Sequence, residues 1–388
     1  MDENTKTGQE LYKEHLERLK KAVANEKTDR PPINLNADAF LVQYGGGKVS
    51  DLVNDPEYGN DLIIKALQKL GDVDCGGPGA FPAMGGGAFF FARIKLPGRE
   101  LPDNMIWQID ELRPMTEQDY DVIIDKGFGY YTEQFMKKYF PETEESKKDM
   151  EAMMQLGPKV AQKYIDAGYV TLGVSQEGGT PQPGMMCIAG APFNSLSAAR
   201  GTGEFLRDIK KMPDKVLEAM NVMHETNLKT LRDTVRTAKP LTVFTGGGRE
   251  AGDFLSIKDF EKFAWKYFKE AANVVIEEGS YCYLHLDCSW DRFVKYFLEL
   301  PKNKMVFGPD GTTNIFKAAD VLYGHTAFYG DVHPSMMSLG TPDEVYAYCK
   351  KLMDRFADKG FIMSTGCAVP SNAKPENVEA VVAAALGK

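Results

Sequence analysis

The chain has 388 residues, 43% hydrophobic and 26% charged, ordinary globular proportions that exclude a disordered or fibrous protein. Its 46 Lys and Arg against 55 Asp and Glu give a net charge of −9, which disfavours a nucleic-acid partner and a polyanionic substrate. No apolar run approaches the roughly 20 residues of a membrane span. The N-terminus has neither a secretory nor a transit signature, and six scattered cysteines without a Cys-x-x-Cys pair read as reduced thiols, so a cytoplasmic protein without a membrane partner is expected.

From the N-terminus, residues 6 to 25 place Leu11, Tyr12, His15, Leu16, Leu19, Ala22 and Val23 on one helical stripe, predicting an amphipathic leading helix. Pro31 and Pro32 end it, so residues 1–32 read as a helical extension. Beyond this point short β-rich runs alternate with long helical patterns, the signature of a parallel sheet. The weaker runs are ADAFLVQ at 37–43 and DVDCG at 72–76. The clearer ones are 169–174, 241–245, 281–286, 305–308, 326–330 and 361–365, several followed by helix-start signals such as Thr341-Pro342-Asp343-Glu344. Eight β/α units predict a closed (β/α)8 barrel of the TIM type over residues 33–388. A long insertion at about 77–168 is expected to hold a hairpin, from AFFFARIKL and NMIWQID, and then helices.

Functional groups of such barrels sit where strands end and βα loops begin. The residues there are Asp74, Cys75, Glu177, Arg249, Glu250, His285, Asp287, Cys288, Asp310, Asp331, His333 and Cys367. The sharpest constellation is His285-Leu286-Asp287-Cys288 taken with Cys367 at the end of the last run. Alternation along a strand sends His285 and Asp287 the same way, and Cys288 the other way unless the strand has ended. A histidine, a carboxylate or thiolate, and a cysteine leave one position open, as catalytic zinc requires. The bland reading of each residue is a hydrogen-bonded core histidine, a small buried hydrophobe, or an ion pair lining the barrel mouth. Phe128, Tyr130, Tyr131, Met185 and Met186 are candidates for an apolar pocket, with core filling as the commoner role.

The closing segment FIMSTGCAVPSNAKPENVEAVVAA and the stretch FYGDVHPSMMSLGTPDEVYAYCKKLMD resemble the uroporphyrinogen decarboxylase superfamily. So do ARGTGEFLRDIKKMPDKVLEAM and DFLSIKDFEKFAWKYFKE, and the whole pattern is similar to its branch of chloromethane and methylotrophic corrinoid methyltransferases. The decarboxylase carries an Arg-Gln-Ala-Gly-Arg type segment near its first strand. Here LVQYGGGK stands there, with no arginine between Arg30 and Arg93, a poor match to a substrate with many carboxylates. The methyltransferases hold zinc on a His-x-Cys and a distant Cys. His285 and Cys367 match, Asp287 stands at the first Cys, and Cys288 is displaced by one.

The resemblance implies an enzyme moving a methyl group between a small methylated substrate and the corrinoid (cobalamin) of a separate partner protein. A methoxylated aromatic, undergoing O-demethylation, is the preferred substrate. Asp310 or Glu177 is expected to protonate the departing oxygen, and Arg249 to orient an anionic substituent. A decarboxylase of a small or tetrapyrrole acid and a non-catalytic binding barrel are the rival readings. The sequence fixes no oligomeric state, and a homo-oligomer stays open.

Overall fold

A computed structural model describes residues 6–79, 91–176, 188–189 and 191–388. Its centre is a parallel sheet in the order β3 (Ile188–Ala189), β4 (Thr242–Gly247), β5 (Tyr281–Leu286), β6 (Met305–Pro309), β7 (Ala327–Val332) and β8 (Phe361–Thr365). Single bridges carry the ring onward: Ile33 pairs with Met363 of β8, Asn34 with Cys75, and Cys75 with Val170, all parallel. The segment after Val170 returns to the start of β4, where Leu241 N donates to Val174 O and Gln176 N to Lys239 O. With residues 170–176 and β3 counted as one interrupted position, eight positions surround a common axis, the (β/α)8 barrel expected from the sequence.

One expected strand is a helix. Residues 37–43 fall in the helix Asp38–Tyr44, whose Ala39, Phe40, Leu41 and Val42 are buried. A short apolar run cannot by itself distinguish a buried strand from a buried helix. The first barrel position lies just upstream at Ile33–Asn34, directly after the two prolines. The run at 169–174 contributes only a bridge at Val170 and then turns, and 72–76 only a bridge at Cys75.

The inserted hairpin forms as expected, with β1 (Ala92–Lys95) antiparallel to β2 (Gln108–Glu111). Helices Asp119–Lys126, Phe128–Tyr139 and Glu144–Asp166 follow. Phe128 and Tyr131 pack with Phe91 and Phe135 inside this insertion, and Tyr130 is exposed, so these rings fill the insert and do not line a barrel pocket. Met185 and Met186 lie outside the described residues.

Two hydrophobic layers hold the barrel. One lies between strands and outer helices; the other fills the barrel itself with Cys75, Val170, Leu241, Val306, Ala327 and Ile362. The leading helix, Gly8–Val23, closes the N-terminal end of this interior with Tyr12, Leu16, Leu19, Ala22 and Val23. Thr7 and Glu10 form its capping box, satisfying N–H groups that the first turn leaves unpaired. Arg18 and Arg30 both reach the fully buried Asp74, each at 2.5 Å, and Ile33 N donates to it at 2.8 Å. Asp74 therefore anchors the extension at the end of the barrel away from the mouth. Among the described residues no helix is long and apolar enough to cross a membrane.

Candidate metal centre

His285 is the fifth residue of β5, and its side chain follows the inward set of that strand with Tyr283. Strand pairing stops at Leu286, opposite Pro309, so Asp287 keeps the same parity at the very end of the strand. Trp290 Nε1 donates to Asp287 O at 2.9 Å and fixes the turn that follows. His285 Nε2 lies 3.3 Å from Asp287 Oδ1.

Cys367 reaches the same place from the other side of the ring. Gly366 makes this approach possible: a Cβ there would lie 2.4 Å from the Asp310 carbonyl carbon, a distance no side chain tolerates. Thr365 Oγ1 donates to Cys367 O at 2.7 Å and holds the turn. As a result one ligand atom each of His285, Asp287 and Cys367 lies within 4.8 Å of the others, although the residues are up to 82 positions apart in the chain (367 − 285).

The electrostatics of this cluster favour positive charge at its centre. Burial opposes the charged imidazolium, but hydrogen bonds to Asp287 and Cys367 outweigh it and push the His285 pKa up to about 9. The hydrogen bond from His285 in turn holds the Asp287 carboxyl below its ordinary range. The nitrogen, oxygen and sulfur donors, with three protein ligands and a side open to the mouth, fit a catalytic metal rather than a closed structural one.

Cys288, the fourth expected ligand, does not join the group. Its backbone sits in the left-handed region at φ 65°, and its N–H donates to Asp310 Oδ2 at 2.8 Å. The strand has ended, so alternation no longer governs the direction of this side chain. Burial, and then the charge of Asp310, raise its thiol pKa.

The expected catalytic residues are differently placed. Asp310 spends both oxygens on the backbone, Oδ2 on Cys288 and Oδ1 on Thr312 N at 2.7 Å, so it organises the loops beside the cluster. Arg249 is committed to Glu111 of the inserted hairpin at 2.6 Å, to Thr202 Oγ1 at 2.6 Å and to Ser197 O at 3.1 Å. It ties the insert to the mouth. Glu177 lies outside the described residues.

Two further carboxyls stand at strand ends here. Glu250, 2% exposed, accepts from Asn194 through Oε1 at 2.8 Å, while its Oε2 has no partner among the described residues. Burial pushes its pKa up to about 7. Asp331, next to last in β7, accepts from Tyr348 at 2.7 Å, and burial pushes its pKa up to about 6. Among the described residues, the rings of Phe244 of β4 and Tyr283 have their centres 5.6 Å and 6.2 Å from that of the imidazole. Sequence reasoning passed over both, although strand parity places Tyr283 on the face of His285.

The family model described as uroporphyrinogen decarboxylase (URO-D) matches residues 133–386, more than half of the chain. The protein belongs to the uroporphyrinogen decarboxylase family. Among solved structures it is similar to a methyltransferase from Methanosarcina mazei, with a TM-score of 0.63 and 15% identity over 96% of this chain and 98% of that one. A search of curated protein sequences gave no match. In this family member the segment after the first barrel position, residues 41–48, carries no arginine.

Proposed function

We propose that this uroporphyrinogen decarboxylase family member is a zinc-assisted methyltransferase. It moves a methyl group between a small methylated substrate and the corrinoid of a separate protein. The observation that carries this reading is the convergence of His285, Asp287 and Cys367, a nitrogen, oxygen and sulfur donor set, at one opening. A decarboxylation of a porphyrinogen would instead call for cationic side chains facing many carboxylates. Arg249, the arginine once expected to serve an anion, is already paired. The structural likeness to a methyltransferase supports the reading at the level of fold.

His285, Asp287 and Cys367 would hold the zinc, which when bound polarises the substrate oxygen that carries the methyl group. The preferred substrate is a methoxylated aromatic, because Phe244 and Tyr283 flank His285 and offer ring faces and edges to an aromatic guest. Asp310 positions: with both oxygens on backbone N–H groups, it holds Cys288 and Thr312 and so the end of the β5 turn. Arg249 positions as well, docking the inserted hairpin against the loop after β4.

The test is to mix the purified, zinc-loaded protein with reduced cobalamin and a panel of methoxylated aromatics and follow the cobalt spectrum. Loss of the low-valent band with formation of methylcobalamin and a free phenol is expected. Carbon dioxide release from a carboxylated substrate, with no methylcobalamin formed, would replace this reading with decarboxylation.

A further inference from the structure

Among the outer elements that follow β4, β5 and β6 lies a cleft of about 540 Å³. That volume falls within the roughly 300–1,000 Å³ over which proteins hold small molecules. Its walls are the short helix opening at Ile257, the 3-10 helix Val294–Glu299 and the helix Ile315–Leu322. Val294, Ala318 and Val321 give it an apolar lining, and Ile257 leaves 52% of its surface exposed at the edge. Tyr296 adds a ring whose hydroxyl is already spent, donating to Glu261 at 2.6 Å.

The charges of this cleft are answered unequally. Of its two acids, Asp291 accepts from Asn314 N at 3.1 Å, and Glu299 accepts from Lys269 at 2.8 Å and from Trp265 Nε1 at 3.1 Å. Of its three cations, Lys295 and Lys317 have ammonium groups with no ion pair or hydrogen bond among the described residues. Arg292 is held more firmly. Its Nη1 donates to the carbonyls of Gly252 and Leu255 at 3.1 and 3.2 Å, and its Cδ fills space that a Cβ on Gly252 would approach to 3.1 Å. Neutral groups therefore fix this guanidinium, and no carboxylate meets it among the described residues. By contrast Arg18, Arg30, Arg200 and Arg249 all end on acids. A guanidinium already ordered by the fold, with donors to spare, can take a carboxylate without a further cost of fixing a long side chain.

We propose that this cleft binds a small organic acid, its carboxylate on Arg292 with Lys295 and Lys317 alongside, and its apolar body against Val294, Val321 and Tyr296. Such a ligand satisfies both features of the cleft. An inorganic anion would leave the apolar lining wet, and a neutral apolar body would leave the guanidinium unanswered. The site shares no residue with the metal donors and does not depend on the methyl-transfer reading. It is joined to them by the chain, since Trp290, which donates to Asp287 O at 2.9 Å, directly precedes Asp291 of the cleft wall.

The probe is octanoate, titrated by calorimetry into zinc-loaded wild type, Arg292→Ala, Lys295→Ala/Lys317→Ala and Cys367→Ala, each checked for native circular dichroism. Octan-1-ol and octylammonium carry the same body without the negative charge, and 3-phenylpropanoate carries the charge on an aryl body. One octanoate per chain is expected, with octanol at least about 10-fold weaker and octylammonium weaker still. Arg292→Ala should weaken octanoate about 10-fold or more, as a hydrogen bond to a charged group does, and the lysine pair about 3- to 10-fold. Cys367→Ala should leave the affinity unchanged. A preference for octanoate or for 3-phenylpropanoate supports the site in either case and tells an alkyl acid from an aryl one. Octanoate affinity that is matched by octanol, unmoved in both cleft variants, or lost in Cys367→Ala overturns the proposal. So does a wild type that binds neither acid, and if that protein binds a Glu-rich amphipathic peptide the cleft belongs to a protein partner instead.

Discussion

At the N-terminal end of the barrel Asp74 is fully buried, yet two guanidinium groups and a backbone N–H meet its oxygens. At the C-terminal end, Glu250 is almost as deeply buried but leaves Oε2 without a partner among the described residues, and burial raises both it and Asp331 toward neutrality. The first end brings charges together and cancels them, joining a helical extension to the ring. The second keeps poorly compensated groups around an opening and sets one cysteine backbone in the left-handed region. The contrast separates residues that hold the barrel shut from residues that equip its mouth, and each side of it can be broken separately.

The largest effect is expected from Asp74→Ala. Removing the shared acceptor takes a partner from Arg18, which keeps Asp29 and Glu14, from Arg30, which keeps Asp72, and from the buried Ile33 N–H, at a cost of about 3 kcal/mol in unfolding free energy. Urea denaturation followed by circular dichroism measures it, and a loss below about 1 kcal/mol would remove the idea that this end is the electrostatic anchor.

Asp331→Asn probes the other end through pH. The folded-state pKa of about 6 lies above the ordinary aspartate value of 3.8, so the folded protein binds more protons than the unfolded chain over this interval. The corresponding stability is present below pH 4 and is lost as pH rises through 6, a linkage of up to about 3 kcal/mol. Asparagine keeps an acceptor for Tyr348 without the charge. Unfolding free energies of wild type and variant at pH 4.5 and pH 8 should therefore diverge, the variant losing less; parallel curves would count against a buried, neutralised Asp331.

The smallest effect belongs to Thr7→Ala, which removes the capping box of the helix that closes the barrel. About 1 kcal/mol is expected, read as a lower midpoint in the same denaturation experiment with metal content unchanged. A change in metal content would mean that the two ends are coupled.

How much of this was legible from sequence follows the same division of the molecule. The strands β4 to β8 are five or six residues long, rich in β-branched and aromatic side chains and followed by capped helices, so their pattern survives in the sequence. The first positions of the ring touch their neighbours through single bridges at Ile33, Asn34, Cys75 and Val170, too short for any periodicity, and the apolar helix Asp38–Tyr44 beside them carried the stronger signal. His285 and Asp287 could be paired by parity alone. Cys367 could be paired with them only by assuming that the barrel mouth brings them together, and the ring of bridges supplies that. Cys288 was lost to a backbone angle that no sequence pattern announces. For Arg249 the reading left an anion-orienting role and an ion pair at the mouth both open, because the landing place of an inserted hairpin, here Glu111 against the loop after β4, is a tertiary fact.

The measurement that bears most directly on the mouth as a metal-organised reaction site is cobalt(II) substitution of the purified protein, read by absorption spectroscopy in wild type and in Cys367→Ala. One cobalt per chain is expected in wild type, with the intense bands of a four-coordinate ion and a thiolate charge-transfer band, and that band should vanish in the variant. Weak bands of six-coordinate cobalt, or a spectrum unmoved by the loss of Cys367, would contradict the account.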